Sequence, residues 1–405
     1  MLQERLPFLV PALLLAGVAA AALSSRADAG PVGPDGGTPD LIVGDIYDWQ
    51  KYGTSGGLSS YAFGTVSCNM GTEVLTWNAN TNVHPVISAT IYRLKDGILE
   101  QVALNWLKHG FSTLNGTLCG QCQPTGGTTL GILCSDPYSA SLNGSQNNLG
   151  PRTDVNAYDG FFPYPPTLNS AGGVLGGRIQ APNAMIDPAL NAGARYFVEA
   201  QYVHPQDSAK IGNGDNNVAY REIRFNAGVA PWSPSFVAST ARESTVFDAW
   251  KTIDPSVTVS EISFPQDGSI FVGSKAIQNS PNSWTYVYVV YNRDSNLGAR
   301  ALGVPLNPSV NVTARTFHDV AYHSGESVYG TDWTEVDGPL AGKPRVLGWY
   351  TGTFAQDPNH NAIRWGTAYT MTFTCDRAPG TGKVAVASFK ASSPSYLLAD
   401  AVVPQ

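Results

Sequence analysis

Tyr369, Met371, Phe373 and Cys375 alternate with Thr370, Thr372 and Thr374, so this stretch has one apolar and one polar face. A period of two belongs to an extended strand, and a chain built from such stretches must close as sheets. Comparable runs fill the second half: Val257 to Phe264, Ser269 to Val272, Trp284 to Tyr291, Val310 to Thr316, Val346 to Phe354 and Lys383 to Phe389. About seven such runs divided by turns predict a β-sandwich. The threonine face is expected to meet solvent, as in a sheet covered on one side only.

The other end of the chain is not part of the fold. Leu6 to Leu23 is dominated by Leu, Ala and Val, and Ala27-Asp28-Ala29 is a small-x-small cleavage pattern. Residues 1–29 therefore read as a signal peptide and place the protein outside the cytoplasm, secreted or at the cell surface. No other run approaches the ~20 apolar residues that span a bilayer, so no membrane span is expected after cleavage. Net charge is −7 and no basic run occurs. Nucleic acid and anionic membrane are excluded as partners, because nothing would neutralise their phosphates.

A 405-residue chain exceeds one ordinary core. The expected plan is a flexible lead-in (30–39), a β-rich domain (40–226), a small Pro/Ser-rich linker (227–241), the β-sandwich (242–391) and a loose tail (392–405). In the first domain, Arg195 to His204 and Val218 to Asn226 read as an antiparallel pair. Gly53-Thr54-Ser55-Gly56-Gly57 matches a nucleophile-elbow spacing, but strand-like residues follow it and a turn is expected. Between Leu94 and Phe111, LKDGILEQVALNWLKHGF places Ile98, Leu99, Val102, Trp106 and Leu107 at steps of three and four. That spacing predicts one amphipathic helix, capped by Asp96 and closed at Gly110.

Five cysteines in an exported chain read first as disulfides. Cys68, Cys119, Cys122 and Cys134 are expected to form two bridges of undetermined connectivity, with Cys375 a buried thiol. The same block offers a second reading, a structural zinc held by His109, Cys119, Cys122 and Cys134. Redox chemistry at Cys119-Gly-Gln-Cys122 ranks third, because no helix follows the motif.

Two blocks carry a resemblance. LKHGF…CxxC…CSDPYS…LGPRTDVN, and then WTYVYVVYNRDS, FHDVAYHSGESVYGTDW and NHNAIRWGTAYTMTF, resemble blocks of uncharacterised secreted bacterial proteins. The resemblance implies export, a β-rich fold and two modules. It carries no activity and no catalytic residue.

Candidate site residues follow from residue type. His109, Asp136, Arg152, Asp154 and Asp159 crowd the block 108–159, where paired carboxylates would suit glycoside cleavage and aromatic side chains would stack on sugars. Arg152 pairing Asp154 or Asp136 to hold a long loop is the plainer role. His318, Asp319, His323 and Glu326, with His360 from a neighbouring loop, are ligand types for Zn or Cu, although His318 and His323 face opposite sides of an extended strand. Asp207 and Asp215 belong to an Asn/Asp/Gly loop with the ingredients of a Ca2+ site or of an exposed turn. No cofactor is required by any motif. The expectation is a mainly β, two-domain secreted or cell-surface binding or structural protein. Its partner would be an extracellular ligand or surface component, carbohydrate among them. The alternative is a secreted hydrolase or metal-dependent enzyme using block 108–159 or His318 and His323.

Overall fold

The computed structural model describes residues 37–405 except 147–149, 169–171, 209–212, 324 and 340–344. The expected signal peptide and most of the expected lead-in lie outside the described residues, as do Ser324 and part of the loop 207–217.

The chain is mainly β and forms two sandwiches. In the first, Leu41–Ser55 and Leu58–Asn69 pair around the turn Gly56-Gly57, where both residues have positive φ. The elbow-like motif is thus a hairpin turn, for which glycine supplies the φ required. Ser135–Tyr138 and Ile179–Pro182 extend this sheet. The facing sheet runs Pro234–Phe236, Val218–Phe225, Arg195–Val203, Val86–Lys95, Ile98–Leu104. Leu41, Val43, Ile46, Tyr61 and Phe63 of one sheet pack against Ile87, Ala89, Ile91, Val198 and Tyr202 of the other. The expected pairing of the strands beginning at Arg195 and Val218 is present.

The amphipathic helix is not. Val86–Lys95 and Ile98–Leu104 form an antiparallel hairpin, with Lys95 opposite Ile98 and Asp96-Gly97 between them at φ 52° and 79°. Asp-Gly with both residues at positive φ is the preferred two-residue hairpin turn, so Asp96 turns the chain rather than capping a helix. Gly110 closes no helix either; a Cβ there would stand 2.7 Å from Trp77 Nε1. The apolar spacing misled because this sheet is buried on both faces. Val102 and Ala103 lie in the first core, whereas Leu99 faces the second module.

Residues 227–241 are also not a free linker. Pro234–Phe236 and Ala241–Arg242 both pair with Val218–Phe225. The chain crosses to the second module through the helix Val246–Ile253, whose Asp248 carboxylate accepts the Thr245 N–H at 2.8 Å. Val246, Phe247 and Trp250 wedge between Tyr92, Leu94 and Phe197 of the first sandwich and Val287, Val289 and Tyr291 of the second. Gly273 admits this helix: a Cβ there would meet Trp250 at 2.6 Å and Phe247 at 2.8 Å.

The second sandwich has two sheets of five strands. One runs Thr258–Ser263, Ser269–Ser280, Ser283–Asn292, Ala368–Cys375, Val312–His318, and the other Thr334–Pro339, Arg345–Tyr350, Ala299–Pro305, Pro379–Ser388, Tyr396–Pro404. Tyr369, Met371 and Phe373 lie in its core as their spacing requires. Two of their threonine neighbours, Thr370 and Thr372, are buried rather than solvated, and the Thr370 hydroxyl donates to Leu99 O at 2.7 Å. The first module covers that end of the face. Past Ser392 the chain is a strand, not a loose tail, with Tyr396–Pro404 paired along Pro379–Ser388.

Two glutamine amides join the modules. Gln101 donates to Gly366 O at 2.8 Å and accepts the Ala368 N–H at 2.7 Å. Gln201 donates to Arg293 O at 3.0 Å and accepts from Trp365 Nε1 at 2.9 Å. Each amide satisfies a donor and an acceptor that burial would otherwise leave costly.

Candidate functional site

The cysteine block lies over one side of the first sandwich. Cys68 is bonded to Cys119 and Cys122 to Cys134, which settles the connectivity, and Cys375 is a free buried thiol. With their sulfurs paired, these cysteines offer no thiolate, and the zinc set with His109 and the redox pair at Cys119 and Cys122 are both overturned.

The pinned loop frames two adjoining depressions that share Gly110 and Phe111. One, of about 190 Å³, is lined by Trp77, Phe111, Asp136, Tyr138 and Tyr202 among others. Its neighbour, of about 300 Å³, is lined by Asn80, His109, Gln146 and Tyr164. Phe111 stands between them at 43% exposure. Its ring leans on Tyr138 with centroids 5.6 Å apart.

His109 reaches this place through strand pairing, since Val86 and His109 are partners. His84 Nδ1 lies 3.1 Å from Asn78 O, and His84 Nε2 lies 2.9 Å from His109 Nδ1. A carbonyl only accepts, so His84 Nδ1 carries a hydrogen, which leaves its Nε2 to accept from His109 Nδ1–H. His109 Nε2 then bears a lone pair with no protein partner. Burial, followed by His84 and Lys108 nearby, lowers His109 to about 3, so the ring is neutral at physiological pH. Asp136 is pushed up to about 6 by burial, although its Oδ1 accepts the Leu114 N–H at 2.7 Å. Trp77 Nε1 and Tyr138 OH also lack partners. Three unpartnered polar atoms thus sit on residues lining these depressions, where buried polar groups are ordinarily satisfied.

The other candidates are not brought here. Asp154 accepts from the Thr167 hydroxyl at 2.7 Å and the Asp159 carboxylate takes the Phe161 N–H, both on the exposed side of the loop. Arg152 pairs with neither Asp136 nor Asp154. It is buried between the modules, donating to Asn105 O at 2.8 Å and Ala89 O at 2.7 Å. His318 Nε2 is 3.0 Å from Gln101 O, while His323 Nε2 lies 2.9 Å from Arg178 O. Asp319 holds the Asn361 amide, Glu326 accepts the His323 N–H, and the His360 ring stands beside Tyr329. Among the described residues, no three metal-ligating side chains come together. Asp207 is buried, taking the Leu41 N–H and the Asn217 amide at 2.6 Å each, and Asp215 pairs with Arg293 at 2.9 Å. Both carboxylates in the calcium expectation therefore serve the fold, as clamps on backbone and arginine.

His84, Trp77 and Tyr164 were not singled out in the sequence. Their separation from His109 along the chain hides them, because only the register of the sheet and the path of the loop assemble the site.

No protein-family model matches the chain, and no curated protein does. Two solved structures align over most of its length. A serine-rich repeat adhesion glycoprotein from Streptococcus agalactiae is 10% identical, with 86% of this chain and 89% of that chain covered and a TM-score of 0.21. A protein from Corynebacterium diphtheriae described as membrane anchored is also 10% identical, with 90% of each chain covered and a TM-score of 0.20. Likeness at this level carries no argument about fold or function. No helix among the described residues is long and apolar enough to cross a membrane.

Proposed function

We propose that this is an exported binding protein acting at the cell surface or in the extracellular space, and that it takes a hydroxyl-rich ligand, a carbohydrate, against Phe111. The observation that carries this reading is the half-exposed Phe111 ring between two depressions whose walls carry Asn80, Asp136, Gln146 and Tyr164 as polar groups for hydroxyls. A sugar presents an apolar ring face to stack on Phe111 and hydroxyls that both donate and accept. The two disulfides support an oxidising compartment outside the cytoplasm.

A secreted hydrolase is the second reading, and Asp136 is what favours it. A carboxyl held near 6 is suited to act as a general acid. Glycoside cleavage uses two carboxyl groups across the scissile bond, and Asp136 is the sole carboxylate among the described residues lining the two depressions. Binding is therefore preferred.

The test is a glycan array probed with the full chain and with Phe111→Ala. Saturable binding that drops about tenfold or more in the variant supports the reading, the size expected when one stacking aromatic is lost. Binding that is absent from the array, or unchanged in the variant, refutes it. Turnover of a glycoside that is abolished in Asp136→Asn would establish the hydrolase instead.

A further inference from the structure

A third cavity lies between the two sandwiches, away from Phe111. It encloses about 260 Å³ and is lined from the first module by Arg152, Thr153 and Val155, with the remainder from the second. Three cations contribute to its wall: Arg152, Arg364 and Lys390. Each is held by neutral groups. Arg152 donates to backbone carbonyls and lies 5.9 Å from the centre of the Trp365 ring. Arg364 donates to His360 O at 3.2 Å and stands 4.7 Å from the centre of Phe389. Lys390 Nζ donates to Asn296 Oδ1 at 2.6 Å and stands 5.6 Å from the centre of Phe354.

None of the three makes an ion pair among the described residues, and no carboxylate lines the cavity. Glu326 acts on Arg152 and Arg364 from outside the cavity wall, and burial raises its carboxyl to about 7. Burial and the neighbouring Arg364 lower the pKa of Lys390 more than Asp267 and Asp159, also outside the cavity wall, raise it. The carboxylates that act on these cations stand outside the cavity wall, so an anion entering the cleft meets positive groups on the wall and no like charge there. Neutral polar side chains, Ser295, Asn296, Ser327 and Asn359, complete the wall and can take hydroxyl groups. The cavity is closer to the size of one small ring than to that of an extended chain.

We infer that this intermodule cleft is an anion site for a hydroxylated carboxylate of monosaccharide size, its carboxylate held between Arg364 and Lys390. Fixed guanidinium and ammonium groups supply charge-assisted hydrogen bonds to the carboxylate, and the asparagine and serine side chains read the hydroxyls. The inference does not depend on the Phe111 site.

Isothermal titration of the full chain with glucuronate, glucose and inorganic phosphate tests it. Glucuronate is expected to bind at millimolar concentration or tighter, glucose not measurably, and phosphate more weakly than glucuronate. Raising the salt should weaken glucuronate binding. Arg364→Gln and Lys390→Gln should each weaken it about tenfold, as for a lost hydrogen bond to a charged group, while Phe111→Ala leaves it unchanged. If a variant fails to fold, the ligand series and salt dependence of the unaltered protein still decide. The inference is overturned if glucuronate does not bind, if glucose or phosphate binds the Phe111→Ala variant as tightly as glucuronate does, if salt has no effect, or if Phe111→Ala rather than the cation variants abolishes glucuronate binding.

Discussion

The Glu199 carboxylate accepts the Val246 backbone N–H at 2.8 Å, so a side chain of the first sandwich caps the helix that leads into the second. Glu199 is buried, and the helix start brings partial positive charge to it. Burial nevertheless prevails and lifts its pKa from 4.5 to about 7. Between those values the folded protein keeps a proton that the unfolded chain has released. The contribution of this group to stability is therefore full below pH 4.5 and falls as pH rises towards 7. Glu199→Gln keeps an acceptor for Val246 and removes the titration. Relative to the unaltered protein, its Tm should rise progressively from pH 4.5 to pH 7, corresponding to about 1–3 kcal/mol at the upper end. Parallel Tm–pH curves would show that Glu199 does not titrate in this way.

Lys108 is buried without a hydrogen-bond partner for its Nζ. Burial, helped by Arg178, lowers its pKa from 10.5 to about 7. Here the unfolded chain binds the proton more tightly, so the amine costs stability increasingly as pH falls from 10.5 to 7. Lys108→Met should raise the urea midpoint at pH 7, by about 1–3 kcal/mol in stability, with the gain shrinking towards pH 10. A variant less stable at both pH values would mean that the amine serves an interaction not present here.

The Gln101 amide bridges Gly366 O and the Ala368 N–H across the module boundary. Gln101→Leu keeps much of the volume and strands both groups. It should cost about 2–4 kcal/mol, at the upper end of what two unsatisfied buried groups cost, and raise amide exchange at Ala368. Exchange mass spectrometry should localise the change to the boundary; uniform exchange would indicate global loosening.

The two disulfides close loops of different length, with a sequence separation of 51 between Cys68 and Cys119 and of 12 between Cys122 and Cys134. In the loop-entropy account these are worth about 4 and about 3 kcal/mol. Replacing Cys68 and Cys119 by alanine should therefore lower the Tm more than replacing Cys122 and Cys134. The second replacement should weaken glycan binding more than it lowers the Tm, since that bridge shapes the loop around Phe111. The reverse order of Tm would show that native packing outweighs loop entropy here.

Local patterns in the chain carried much of the architecture. The alternation from Tyr369 to Cys375, the pair Arg195–Val203 with Val218–Phe225, and the four cysteines that pair all follow from residue type and spacing. The Asp96-Gly97 turn was legible too, but helical spacing over Ile98, Leu99, Val102, Trp106 and Leu107 outweighed it. Periodicity assumes one buried face, and this strand is buried on two. Thr370 misleads for the same reason: its polar face meets Leu99 rather than water. The sites belong wholly to the tertiary structure. His84 meets His109 because two strands pair in one register, and Arg152 meets Arg364 and Lys390 because one sandwich packs on another. A sequence determines which residues can form strands, turns and bridges, since those are short-range choices of φ, ψ and burial. Which charges converge on a common cavity is decided only when the sheets close on one another, because Coulomb and hydrogen-bond energies depend on distance in space and not along the chain.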